Sequence, residues 1–165
     1  MLQLLLLSLS SLVLAANAQC STLGNTWEEI PNAEGFCYQY YGTPATWAEA
    51  NTKCQSFAGG DLTSLDNEAE ANAIYEYWKT VGTNSNSGYW IGLTDLHKPM
   101  RRPLWTDWTR IRYTNWQAAQ PSSDTNDNCA YVANEGAEGS ERKKWKATSC
   151  DDARKPYFCE RKLQI

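Results

Sequence analysis

Apolar positions recur at helical spacing twice in the first half of the chain and then give way to short apolar runs. Trp47, Ala50, Cys54 and Phe57 share one face of a helix. The preceding Thr46-Trp47-Ala48-Glu49 is a capping box, in which the Thr hydroxyl accepts an early amide and Glu49 reaches back. Gly59-Gly60 is expected to end this helix. A second helix is predicted from Asp66 or Asn67, both good N-caps, with Glu68 and Glu70 in the favoured first turn. Its apolar stripe is Ala71, Ile74, Tyr75, Trp78 and Val81, and Gly82 stops it.

Beyond a polar turn the texture changes. Tyr89-Trp90-Ile91-Gly92-Leu93 is short, aromatic and apolar, which predicts a central strand. From Thr94 to Gln120 no helical period is found, and long ordered connections of this kind tend to carry function. Cys129-Ala130-Tyr131-Val132 and Tyr157-Phe158-Cys159 read as strands. So does Lys144-Trp145-Lys146-Ala147, with Trp145 inward and both Lys outward by the period of two. Glu138 to Lys144 reads as a charged hairpin end. Strands and two helices, segregated rather than alternating, define an α+β class.

The first residues form an apolar run with no charge before Glu28, closing on Ala16-Asn17-Ala18. That small-x-small ending predicts a cleaved signal peptide at 1–18, a domain at 19–165 and a secreted, extracellular protein without a membrane span. All six Cys follow the expected cleavage point. An even count in an exported chain reads as three disulfides, whose pairing sequence alone leaves open. A zinc site is not expected, since there is no Cys-x-x-Cys and one His, His97. The net charge of −4 argues against nucleic-acid binding. Eight Trp and nine Tyr are chiefly core material, with exposed ones available for stacking.

Taken together, these residues resemble the C-type lectin-like domain family across Cys20 to Glu160. Trp90-Ile91-Gly92-Leu93 is similar to the family's core strand. Gly59-Gly60-Asp61-Leu62, Tyr113-Thr114-Asn115-Trp116 and the Trp145 to Cys150 segment stand in the family's order. The resemblance implies two helices packed on small antiparallel sheets with a long irregular loop region. It implies the pairs Cys54–Cys159 and Cys129–Cys150, and a long form with Cys20–Cys37 closing an N-terminal hairpin around Trp27.

In sugar-binding members a calcium ion holds two sugar hydroxyls, and such a cation wants about six to eight oxygens. At the family's tripeptide position this chain reads Gln120-Pro121-Ser122, where Pro121 is similar to the family's cis proline. Asp127, before Cys129, matches the family acid. Where the family has an Asn-Asp pair, Lys146-Ala147 stands instead, and a Lys pointing at the site would repel calcium. Gln120 and Asp127 are thus the metal candidates of an incomplete site. Asp95 and Asn128 match parts of a second family site in which Pro99 and Ser123 replace oxygens. Asp124, Asp151 and Asp152 are nearby acids.

The expected function is carbohydrate recognition with weakened or absent calcium dependence, at Gln120, Ser122, Asp127, Asn128 and Lys146. Arg142, Lys143, Lys144 and Lys146 form one basic group, and His97, Lys98, Arg101 and Arg102 another. If the two meet, the glycan or glycoprotein partner is anionic. The rival reading is a calcium-independent protein-binding or shell-matrix module. An enzyme is not expected: Gly-x-Ser-x-Gly and His-Glu-x-x-His are missing and every Cys is committed to a bridge.

Overall fold

The structure is a computed structural model that describes residues 20–24, 26–82, 88–95, 103–134, 142–151 and 153–163. The signal-peptide expectation, Pro99, Asp152, the basic group at His97, Lys98, Arg101 and Arg102, and most of the Glu138–Lys144 turn lie outside them.

The elements run β1 (Phe36–Ala45), α1 (Trp47–Gln55), β2 (Gly60–Leu62), α2 (Glu68–Val81), β3 (Tyr89–Thr94), β4 (Leu104–Trp105), β5 (Cys129–Val132), β6 (Trp145–Thr148) and β7 (Lys155–Lys162). Both halves of the Thr46 capping box form. Helix α1 closes at Ser56, earlier than the Gly59-Gly60 pair suggests: Gly59 and Gly60 instead carry the turn into β2, with Gly59 at φ 70°. Asn67 caps α2 by accepting the Glu70 amide. β1 and β2 had no clear sequence signal.

The strands order as β1-β7-β3-β5-β6, with β2 on β7 and β4 on β3. Every pairing is antiparallel except β3 with β7, which meet in parallel at Trp90 and Tyr157. That contact joins the antiparallel pairs into one mixed sheet. Tyr38, Ile74, Trp78, Tyr89, Ile91, Trp105, Trp145 and Phe158 fill one core cluster. Trp27, Trp47, Leu62 and Trp90 fill another, together with the cysteines. Three disulfides staple them: Cys20–Cys37, Cys54–Cys159 and Cys129–Cys150.

Gly92 explains how β3 fits. A Cβ there would lie 2.6 Å from the Leu62 carbonyl oxygen and 2.6 Å from Thr106 Oγ1. The Gly92 amide also donates to Thr63 O and its carbonyl accepts from Thr106 N. The 62–63 segment and the chain after β4 thus close onto a bare backbone. Gly92→Ala is expected to cost about 1–3 kcal/mol through forced displacement. Denaturant titration checks this, and an unchanged midpoint would refute the packing argument.

A polar seam crosses the core. Tyr38 Oη donates to Glu70 Oε1 at 3.0 Å, and the Asp66 amide donates to Glu70 Oε2 at 2.7 Å. Ser64 Oγ donates to Glu160 Oε1 at 2.8 Å. Glu160 is 2% exposed, and its Oε2 has no hydrogen-bond partner among the described residues. Burial drives the Glu160 carboxyl well above the usual carboxylate range, with Glu70 and Asp107 adding like-charge repulsion. Folded Glu160 therefore keeps its proton to a higher pH than the unfolded chain does. Its contribution to stability is complete below the unfolded carboxyl range, about pH 4, and is lost as pH rises through the folded value. Glu160→Gln is expected to raise Tm near pH 8 by roughly 2–4 °C and to change little near pH 4. Thermal unfolding across pH checks this, and a gain that grows on acidification would reverse the sign.

Candidate functional site

A cleft of about 200 Å³ opens where β3 ends and β5 begins. Its far wall is the loop that follows Trp116, with Pro121, Ser122, Asp124 and Asp127. Trp145 holds this loop in place. Its amide donates to Asn115 O at 2.7 Å, and its carbonyl accepts from Gln117 N at 3.0 Å. Trp105, Tyr113 and Trp116 each pack edge-on against its ring at 5.6 Å. Trp116 is half-buried between that hub and the cleft.

After Trp116 the chain turns through the Gln120 amide donating to Gln117 O, then passes the cis Gln120–Pro121 bond. Short polar bonds shape the rest. Ser122 Oγ accepts the Asp124 amide at 3.1 Å, and Asp124 Oδ1 accepts the Asn126 amide at 2.9 Å. Asn128 Nδ2 donates to Thr125 O at 2.9 Å. On the β3 side, Thr94 Oγ1 donates to Asn128 O at 2.9 Å and the Asp95 amide to the same oxygen at 3.2 Å. Asp95 Oδ1 is buried at the cleft and has no hydrogen-bond partner among the described residues. The Cys129–Cys150 bridge ties the start of β5 to the segment after β6.

Of the residues expected at the site, Ser122, Asp127 and Asn128 line the cleft together. Gln120 stands behind it: its Oε1 accepts the Ala147 amide at 2.8 Å, so the oxygen offered to a metal is engaged with β6. Lys146 is not in the lining, and Ala147 is. Consecutive strand residues face opposite ways, so Lys146 goes with its cross-strand partner Tyr131 while Ala147 pairs with Ala130 on the cleft side.

The basic group beside it is also spent locally. Lys143 Nζ meets Glu76 Oε1 at 2.8 Å, and Lys144 Nζ donates to Asn115 Oδ1 at 2.6 Å. Among the lining residues not read as a site from sequence are Trp116, counted with the aromatic core material, and Ala147, whose role follows from strand alternation once its register is known.

The donor set does not fit the family's calcium arrangement. Gln120 Oε1 already accepts a backbone amide, Ser122 supplies a hydroxyl, and Ala147 supplies no side-chain oxygen. Among the described residues, no three of the His, Cys, Asp and Glu side chains are grouped to hold a metal ion. What the cleft offers is an aromatic wall and the carboxylates Asp95, Asp124 and Asp127 as hydrogen-bond acceptors. Among the described residues, no helix is long and apolar enough to cross a membrane.

Residues 43–161 match the family described as the Lectin C-type domain. The chain is 35% identical over 129 residues to an alpha-N-acetylgalactosamine-specific lectin of Patiria pectinifera, covering 76% of this chain and 74% of that protein. It is 32% identical over 136 residues to lithostathine of Rattus norvegicus, covering 82% and 78%. The crystal structure of the C-type lectin CEL-I from Cucumaria echinata superposes with a TM-score of 0.72 at 26% identity, covering 85% of this chain and 97% of that one.

Proposed function

The chain belongs to the C-type lectin domain family, and from that premise we propose that it is a secreted glycan-binding protein whose sugar contact does not use calcium in the family's usual way. The observation that carries the reading is the pairing of Trp116 with unpartnered or solvent-facing carboxylates around one cleft. A sugar presents both matching surfaces: a C–H face that packs on an aromatic ring, and hydroxyls that donate to carboxylates. The resemblance in sequence to an alpha-N-acetylgalactosamine-specific lectin supports the same class of ligand.

The charged groups of the cleft are acidic: Asp95, Asp124 and Asp127. This favours a neutral sugar over an anionic one. Secretion is supported by the apolar leader pattern and by six cysteines that are all paired. What the cleft holds, acceptors and an apolar wall, supports a recognition role.

A glycan array probed with calcium and then with chelator tests this. Binding is expected to survive chelator with little change. Loss of binding in chelator would overturn the calcium part of the proposal. Absence of binding to any glycan would overturn the sugar part and favour the protein-binding or matrix role. Asp127→Asn removes the charge of one acceptor at nearly constant shape. A hydrogen bond to a charged group contributes about 1.5–3 kcal/mol, so roughly 10–100-fold weaker binding is expected. Titration of the array's best sugar checks it, and unchanged affinity would move the site elsewhere.

A further inference from the structure

The polar seam opens to solvent at one end. A pocket of about 610 Å³ lies there, with Asp61, Asp66, Asp107 and Glu160 in its lining. Counting Glu34, five acids face two bases, Arg112 and Lys162. Two of the oxygens are buried and unpartnered among the described residues, Glu160 Oε2 and Asp66 Oδ1. Burial holds the Glu160 carboxyl in its protonated form, and a cation that reached it would supply a partner and favour ionisation.

The neighbouring turn is built with care. Asp107 Oδ1 accepts the Thr109 amide at 2.9 Å and the Thr109 hydroxyl at 2.7 Å, while Ser64 Oγ approaches Asp107 Oδ2 at 3.4 Å. Between them sits Trp108, at φ 65° and 75% exposed. It is the large apolar side chain left exposed among the described residues. The left-handed region is unfavourable for a bulky side chain. The turn therefore holds an indole out in water in a conformation that glycine would adopt without strain.

We propose that this pocket binds an alkylammonium or guanidinium group on an aliphatic stem, as carried by a Lys or Arg side chain of a partner protein, with the cation against the acidic side chains of the lining. The acid excess selects a cation. The pocket's breadth, and the lack among the described residues of three acids grouped as metal ligands, favour an extended multi-donor cation over a bare metal ion. This site is separate from the sugar cleft, since the two share no lining residue.

The probes are agmatine and a capped hexapeptide with one Arg, alongside its Arg→Ala counterpart. Amide chemical shifts are followed on the full disulfide-bonded protein. Saturable shifts are expected at Ser64, Asp107 and Thr109 with agmatine and the Arg peptide, and none with the Ala peptide. Tighter binding of the peptide than of agmatine points to a protein side chain, and equal binding points to a free small cation. The first outcome supports the proposal, and the second overturns its assignment to a partner protein. Asp61→Asn removes one acid of the lining at nearly constant shape and is expected to weaken binding at least five-fold.

The proposal is overturned if neither probe perturbs these amides, if Asp61→Asn leaves affinity unchanged, or if calcium shifts the same amides and displaces agmatine. Glycan binding by Asp61→Asn stays at the parent level if the two sites are independent, so failure here and failure of the sugar reading are distinguished.

Discussion

Trp145→Ala is expected to lower stability by about 4 kcal/mol, near the upper end for truncating a buried aromatic residue. Trp145 is fully buried and makes edge-on contacts with Trp105, Tyr113 and Trp116. Such pairs contribute roughly 0.5–1.5 kcal/mol each beyond burial. The loss is directional as well as large. Three of the ring's partners belong to the stretch between β3 and β5, which has little regular structure of its own. Hydrogen exchange is therefore expected to rise first around 113–120, before the sheet strands. Trp145→Phe keeps part of the ring and is expected to lose about half as much. Thermal unfolding with residue-resolved exchange checks both. A uniform rise in exchange across the domain would show that Trp145 supports the whole core rather than this loop.

Opening the Cys54–Cys159 bridge by a double change to Ala is expected to cost about 4.7 kcal/mol, and opening Cys20–Cys37 about 3 kcal/mol. The first closes a segment of 105 residues and the second one of 17. The longer loop restricts the unfolded chain more, although the dependence on length is only logarithmic. Cys54 and Cys159 are both fully buried, linking α1 to the central strand β7, so their loss also leaves an unfilled space in the core. With a typical domain stability of about 5–15 kcal/mol, the longer bridge accounts for a large share of the total. Denaturant midpoints of the two double variants test the order. A larger effect from Cys20–Cys37 would mean that native-state packing around the N-terminal hairpin outweighs chain entropy.

The helices were legible because their signals are local. Thr46 with Glu49, and Asn67 with Glu70, announce helix starts within four residues. Strand β3 was legible from its unbroken apolar run. β1 was not, because it lies at the edge of the sheet and loses its burial beyond Tyr38, so no clean alternation shows. The end of α1 was misjudged because Gly59 and Gly60 punctuate the next turn rather than the helix.

At the cleft, Ser122, Asp127 and Asn128 could be picked out by family position. Lys146 could not be placed that way: the strand's alternation turns Ala147 toward the cleft instead. Gln120 was expected to offer an oxygen outward, and a hydrogen bond across 27 positions turns it inward. Glu70 shows the same limit. Its first-turn position reads as a surface acid, yet it is buried against Tyr38. Long-range partners such as Tyr38, Ser64 and Glu160 leave no periodic trace in the sequence.

The placement of β7 has a consequence for how the molecule is made. It occupies the middle of the sheet, between β1 and β3, yet its residues 155–162 come after every other element. Until they emerge during synthesis, β1 lacks its partner strand, β3 lacks one side, and Cys54 has no partner thiol. Assembly must wait for nearly the whole domain and then close its most distant contacts together. Such a topology folds slowly and keeps its aromatic segments exposed meanwhile. Truncation just before Lys155 should therefore yield an unfolded, aggregation-prone chain rather than a smaller stable one.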